Sequence, residues 1–412
     1  MPDHAPETER HRMKTSGPIE LLNTDAGLHD TTSCVTAEST GLDASNGRDW
    51  SVSMRRLRGG LSDGVDVVTI NNGRLRLEIL PTRGMGVWRG EVDGVPLKWN
   101  SPVERPVHPA LIDPMRRGGI GWLDGFNELI CRCGLAWHGA PGRDVIRDSA
   151  GNVVSDQFLT LHGRIANLAA HHVFVVIDAS DGGRISVTGI VDEASMFGGR
   201  LRLISTLTSV IGSSSFQITD RVVNLAGTPA EVELLYHCNL GEPFLAEGSV
   251  FHSAVAEVAP RDPRAADGIS MWNLCQGPTP DYAEQVYFTS PLADGDGFGT
   301  ALLCSPDSRL AFCLRFDTST LPWLTLWKNT QSTADGYVVG IEPASCFPNL
   351  RTREREQGRV IRLAPAEDIT FRLAAEVSAA PQRTRQLIDA ITARQVAASR
   401  TVHCLPKQGW SA

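Results

Sequence analysis

Val65-Asp66-Val67-Val68-Thr69-Ile70-Asn71-Asn72-Gly73-Arg74-Leu75-Arg76-Leu77-Glu78-Ile79-Leu80 reads as two strands joined by a tight turn. Both arms are rich in β-branched and apolar residues, and the second alternates apolar with charged. The Asn-Gly step between them supplies the positive φ angles that a two-residue hairpin turn needs. The next segment repeats the device, Val87 to Val92 against Val95 to Trp99 across Asp93-Gly94.

Strands dominate the chain outward from these hairpins. His172 to Ala179 and Arg184 to Val191 flank Ser180-Asp181-Gly182-Gly183, and Arg200 to Val210, Ser215 to Leu225 and Glu231 to His237 follow. After a Pro- and Asp-rich excursion over 259–284 come Gly299 to Cys304, Arg309 to Phe316, Trp323 to Trp327, Gly336 to Ile341, Arg359 to Leu363 and Asp368 to Ala375. Only the end has a helical period: Leu387, Ile388, Ile391 and Val396 fit 3.6 residues per turn after Pro381. Many strands with short turns and one terminal helix mean an all-β protein, a large antiparallel β-sandwich with a C-terminal helix on its outside. Residues 1–48 are a polar tail expected to be loose or only partly docked, 49–380 the sandwich domain, and 381–412 the helix and a tail. Residues 100–160 stand apart as a Gly- and Pro-rich irregular stretch, long enough to suggest a functional loop region.

Composition narrows the function classes. The 412 residues are 42% hydrophobic and 21% charged, with a formal net charge of −8 and no long basic run. Nucleic acid and anionic membrane are therefore not expected partners. No apolar run approaches the ~18 residues of a membrane span, and Met1-Pro2-Asp3-His4 opens no secretory signal. Nine cysteines scattered singly, apart from Cys131-Arg132-Cys133, read as free thiols in a cytoplasmic protein. HExxH, paired CxxC, GxSxG, P-loop and dinucleotide motifs are all missing, so no metal and no cofactor is expected.

Two stretches carry chemistry. Leu234-Leu235-Tyr236-His237-Cys238-Asn239-Leu240-Gly241-Glu242-Pro243 and Gly340-Ile341-Glu342-Pro343 each read as a strand ending in a proline-containing turn. Strand ends of that kind can present one imidazole and one carboxylate to a cleft, the pair needed to move protons to and from a sugar. A lone His or Glu is more often structural, a histidine bonded to backbone or a carboxylate answering an arginine. His162 in Leu161-His162-Gly163-Arg164-Ile165 is a third candidate, since the glycine lets a ligand or backbone approach. The guanidinium of Arg83 could fork onto sugar hydroxyls or form a loop salt bridge. Trp122, Trp137, Trp323 and Trp327 could offer a flat face to a sugar ring or simply fill the core.

Together, Leu80-Pro81-Thr82-Arg83-Gly84-Met85-Gly86, Cys133-Gly134-Leu135, Leu161-His162-Gly163-Arg164-Ile165, Tyr236-His237-Cys238-Asn239-Leu240-Gly241 and Glu342-Pro343 through Phe347-Pro348-Asn349 resemble the aldose 1-epimerase (galactose mutarotase-like) superfamily. The match is to a poorly characterised bacterial branch and covers roughly residues 55 to 378. The resemblance implies a β-supersandwich binding a sugar across a concave sheet. His237 is implied as catalytic acid, Glu342 as catalytic base and His162 as a second histidine near the ring oxygen. Arg83 is implied as the arginine that contacts sugar hydroxyls, and Arg164, Asn239, Trp137 and Asn349 are the further substrate-binding candidates. Two departures stand out. Tyr236 precedes His237 where family members have Asn, and Pro343-Ala344-Ser345-Cys346 replaces a Gln-rich loop.

The resulting expectation is a mutarotase-like isomerase acting on a small sugar, as a monomer or homodimer. Two alternatives stay open on the same fold: an isomerase or epimerase of a modified sugar, and a non-catalytic carbohydrate-binding protein. A glycoside hydrolase would need a second carboxylate facing Glu342, for which Glu128 and Glu242 are the candidates.

Overall fold

A computed structural model describes residues 17–41, 48–180 and 182–411. Nearly all of its strands fall into two large antiparallel sheets. One has ten strands, with Arg184–Ala194, Arg200–Val210, Ser215–Asn224 and Asp368–Ser378 side by side. The other has fourteen, and its centre runs Trp323–Asn329, Val338–Ala344, Ala230–Leu240, Ile130–Leu135.

The two sheets bury their strands differently. Along Arg200–Val210 every second residue is buried, because one face packs on the partner sheet and the other meets solvent. Along Val338–Ala344 and Ile130–Leu135 every residue is buried. Their inner face joins a core that includes Leu234, Tyr236, Ile341, Leu203 and Leu373. Each such apolar side chain contributes roughly 1.5–3 kcal/mol by leaving water. Their outer face is covered by irregular chain, including Trp99, Trp122 and Phe126. Side chains on that face are thus enclosed without being part of the main core.

The two Asn-Gly and Asp-Gly hairpins form as read, Asp66–Asn71 with Leu75–Leu80 and Gly86–Val92 with Val95–Leu97. The C-terminal helix spans Pro381–Val396 and lays Leu387, Ile388 and Ile391 on Leu302, Ala311 and Cys313 of the ten-stranded sheet. Val396 does not join them and is 83% exposed.

Two stretches are more ordered than their composition suggests. Part of the supposed tail is built into the sheets: Ile19–Asn23 pairs with His172–Asp178, and Cys34–Thr36 pairs with Ser51–Arg56. The expectation for residues 1–16 and 42–47 lies outside the described residues. The stretch 100–160 is also less irregular than read. It contains the central strand Ile130–Leu135 and a hairpin of Gly142–Arg147 with Val153–Leu159. All nine cysteines are unpaired. Among the described residues no helix is long and apolar enough to cross a membrane.

Candidate active site

His237 and Glu342 lie inside strands rather than at strand ends, and those strands are neighbours. The register pairs Leu235 with Ala344 and Cys238 with Ile341, so His237 and Glu342 stand opposite each other. Residues opposite each other in an antiparallel pair point to the same face. Cys131 is opposite His237 on one side, and Thr325 opposite Glu342 on the other. The row Cys131, His237, Glu342, Thr325 therefore crosses four strands on the outer face of the large sheet.

His237 Nε2 lies 3.3 Å from Glu342 Oε1. The other side of the imidazole is fixed. Asn239 donates its amide hydrogens to the carbonyls of Glu128 and His237, at 2.9 and 3.1 Å, which turns its Oδ1 toward His237 Nδ1 at 2.6 Å. With this assignment Nδ1 carries hydrogen and Nε2, facing Glu342, has a free lone pair when the ring is neutral. Glu342 Oε1 has no aligned hydrogen-bond donor despite its burial. Burial, with Glu284 adding to it, pushes the Glu342 carboxyl up to about 8. Burial, with His162 adding to it, holds His237 well below the usual imidazole range. Near neutral pH the pair thus holds one proton, on the carboxyl. Gly340 makes room for it: a Cβ there would lie 2.7 Å from Glu342 Oε1 and 3.1 Å from His237 Cε1.

His162 completes the group from a loop, with φ of 58°. Its Nδ1 donates to the His138 carbonyl at 2.9 Å, and its ring centroid is 5.6 Å from that of His237 and 4.6 Å from that of Trp122. Burial lowers this imidazole to about 4. The three side chains line one cavity of about 260 Å³, shared with Trp122, Phe126, Trp327, Thr325, Arg261 and Glu284. Among these lining residues, Trp122 Nε1, Thr325 Oγ1 and Glu342 Oε1 are buried polar atoms without a partner.

Comparison with known proteins shows the family and the fold of this chain. A family model described as a domain of unknown function (DUF4432) matches residues 62–377. The chain belongs to the DUF4432 family. The crystal structure of a putative aldose 1-epimerase from Klebsiella pneumoniae is similar to it at 31% identity, covering 94% of this chain and 98% of that one, with a TM-score of 0.87. A galactose mutarotase-like protein from Clostridium acetobutylicum shares 13% identity over 79% of this chain and 98% of its own, with a TM-score of 0.53. A galactose 1-epimerase from Lactobacillus acidophilus shares 12% identity at the same coverages, with a TM-score of 0.51. The fold of this DUF4432 chain is galactose mutarotase-like. No protein with a curated description matches it by sequence.

The five residues read as substrate-binding lie elsewhere. Arg83 is buried, with Nε on Glu128 at 2.6 Å and the other nitrogens on Asn167 and the carbonyls of Val107 and Gly125. It clamps loops together, with four of its five N–H donors answered inside the protein. Asn239 sits behind His237 and sets its tautomer. Trp137 donates to the Thr160 carbonyl, and Asn349 to Glu354 and the Trp410 carbonyl. Arg164, two residues after His162, is exposed. None of the five lines the cavity. Trp122 and Trp327 do, whereas Trp323 packs on Phe347 and Trp410. The carboxylates considered for a hydrolase miss it as well: Glu128 answers Arg83, and Glu242 is exposed. Arg261 and Glu284, 2.8 Å apart, line it instead. Sequence reading passed over both because they bracket the Pro-rich excursion. The alternation Glu284-x-Val286-x-Phe288 was the available signal.

Proposed function

We propose that this cavity binds one pyranose ring and that His237 and Glu342 open and reclose it, an aldose 1-epimerase reaction. The observation that carries the reading is the 3.3 Å approach of a lone-pair nitrogen and a carboxyl oxygen, side by side in an enclosed cavity. Mutarotation acts on two oxygens attached to one carbon, the anomeric hydroxyl and the ring oxygen. An acid and a base serving both must therefore be close neighbours, and a cross-strand pair is one rigid way to hold them.

Burial keeps the proton on Glu342 before a sugar binds. A bound sugar brings hydroxyl donors to the carboxyl, and hydrogen bonds to its charged form lower its proton affinity. The proton then moves to His237 Nε2. Glu342 takes the proton of the anomeric hydroxyl, the C1–O5 bond breaks as C1=O1 forms, and His237 protonates O5. Rotation about C1–C2 and the reverse transfers close the ring on the other face, returning both groups to their starting states. Such acid–base help contributes roughly 10²–10⁴-fold per group. Trp122 and Trp327 offer apolar faces to the ring, and Thr325, Arg261 and Glu284 are within the cavity for its hydroxyls.

The test is a one-dimensional NMR saturation-transfer screen of anomeric protons over a panel of aldoses and uronates. The expected result is accelerated anomer exchange for at least one sugar. Saturable binding without acceleration across the whole panel would instead mark a carbohydrate-binding protein, and exchange of the C2 proton with deuterated solvent an isomerase.

A further inference from the structure

Directly behind the His162 loop lies a second buried group that the proposed reaction does not use. His138 comes from the chain after Ile130–Leu135, Glu233 from Ala230–Leu240, and Cys346 from the chain just after Val338–Ala344. One ligand-type atom from each lies within 4.8 Å of the others, and all three residues are fully buried. His138 Nε2 is 3.1 Å from Cys346 Sγ, and the backbone N–H of His138 donates to Glu233 Oε2 at 3.0 Å.

These contacts do not satisfy the group. His138 Nδ1 and Glu233 Oε1 are both buried without a partner. A buried polar atom left unpaired costs about 1–3 kcal/mol, and two within one small cluster need a reason. Burial raises the Glu233 carboxyl to about 8, raises the Cys346 thiol, and lowers His138 to about 3. Without a cation the cluster is therefore neutral, holding a carboxylic acid and a thiol.

We propose that His138, Glu233 and Cys346 form a buried binding site for a divalent cation of the zinc type. Thiolate, imidazole and carboxylate are the donor set that zinc takes, at about 2.0–2.3 Å from each. Binding releases one proton from Cys346 and one from Glu233, and the two negative charges balance the cation. Donor atoms at those distances around a tetrahedral centre are roughly 3.3–3.8 Å apart, against separations of up to 4.8 Å here. The site also reaches the cavity: the His138 carbonyl accepts from His162 Nδ1 at 2.9 Å. A metal on His138 would fix the loop that orients His162, making its role one of positioning. Sequence motifs did not show the set, because its members come from three separate segments with no short spacing.

The experiment uses the full chain expressed in minimal medium with added Zn²⁺ or Co²⁺ and purified without chelator. About one equivalent of metal per chain is expected, with a thiolate-to-cobalt charge-transfer band in the cobalt form. Cys346→Ser should remove the band, and Glu233→Gln should lower metal content about tenfold or more. Cys404→Ser, at an exposed cysteine, should change neither. A folded wild-type chain with no charge-transfer band and less than about a tenth of an equivalent of either metal would overturn the proposal. Equal loading of wild type and Glu233→Gln would overturn it too. If Cys346→Ser does not fold, the wild-type cobalt spectrum and Glu233→Gln still decide. Metal content is read independently of anomer exchange, so the outcome does not depend on the proposed reaction.

Discussion

Tyr236 and His237 are adjacent in the chain and point to opposite faces of one strand, and their surroundings differ in kind. Tyr236 enters the space between the sheets, where its hydroxyl donates to Asp220 at 2.8 Å. Arg132 meets the same Asp220 through Nε and Nη2, at 2.5 and 3.1 Å, and its remaining hydrogens reach Ser205 and the carbonyls of Gly84 and Met85. That network is closed, with a charge pair neutralised inside it. His237 faces a cavity whose lining includes three buried polar atoms with no partner. Satisfied buried polar groups specify a fold, whereas unsatisfied ones beside a cavity await a ligand.

The largest effects should separate the two faces. His237→Ala and Glu342→Gln should each slow anomer exchange by about 10²–10⁴-fold while circular dichroism and thermal unfolding stay near wild type. Arg132→Met should do the opposite. It leaves Asp220 buried without its cation, costing roughly 3–5 kcal/mol, seen as a large fall in chemical-denaturation midpoint. Activity per folded molecule should survive.

Arg83→Lys sharpens the comparison for a residue that sequence reading put on the wrong side. Losing the fork that joins Glu128, Asn167 and two carbonyls should cost about 1–3 kcal/mol of stability. The KM for any accepted sugar should not change, whereas a sugar-binding arginine would raise it. Gly340→Ala should be better tolerated by the fold than by the site. Its methyl group would press on both Glu342 and His237, so the rate should drop several-fold or more with only a small stability change.

The remaining effects are in pH dependence. The pair needs one proton, so activity should fall as pH rises through about 8, where Glu342 ionises, and should persist well below the usual imidazole range. Stability carries the same sign. Glu342 has a folded value of about 8 against an ordinary 4.5, so the folded chain binds the extra proton between them. Its contribution is full below about 4.5 and is lost as pH rises toward about 8. Denaturation midpoints of Glu342→Gln should therefore decline less than wild type over that window.

Much of this was legible in the sequence for physical reasons. Gly73, Asp93 and Gly94 take the positive φ that tight turns need, so their hairpins follow from local chemistry. His162, His237 and Glu342 were legible as a group through the resemblance. Ile130–Leu135 was not: buried on both faces, it has no alternation, and Arg132 in its middle disguises a core strand. Arg83 shows why binding residues are harder to read. A sequence displays donors but not where they are satisfied, and here four of the five are answered by protein. The partners of Ile19–Asn23 and Cys34–Thr36 lie far along the chain or across an unpatterned segment, so a polar composition concealed two sheet strands.

The central claim is that the His237–Glu342 pair moves the protons of ring opening. Its most direct test is the anomer exchange rate of Glu342→Gln beside wild type, on a sugar that wild type accelerates, with folding checked in the same sample. A loss of about 100-fold or more in a folded variant is the expected result. An unchanged rate in that folded variant would contradict the claim.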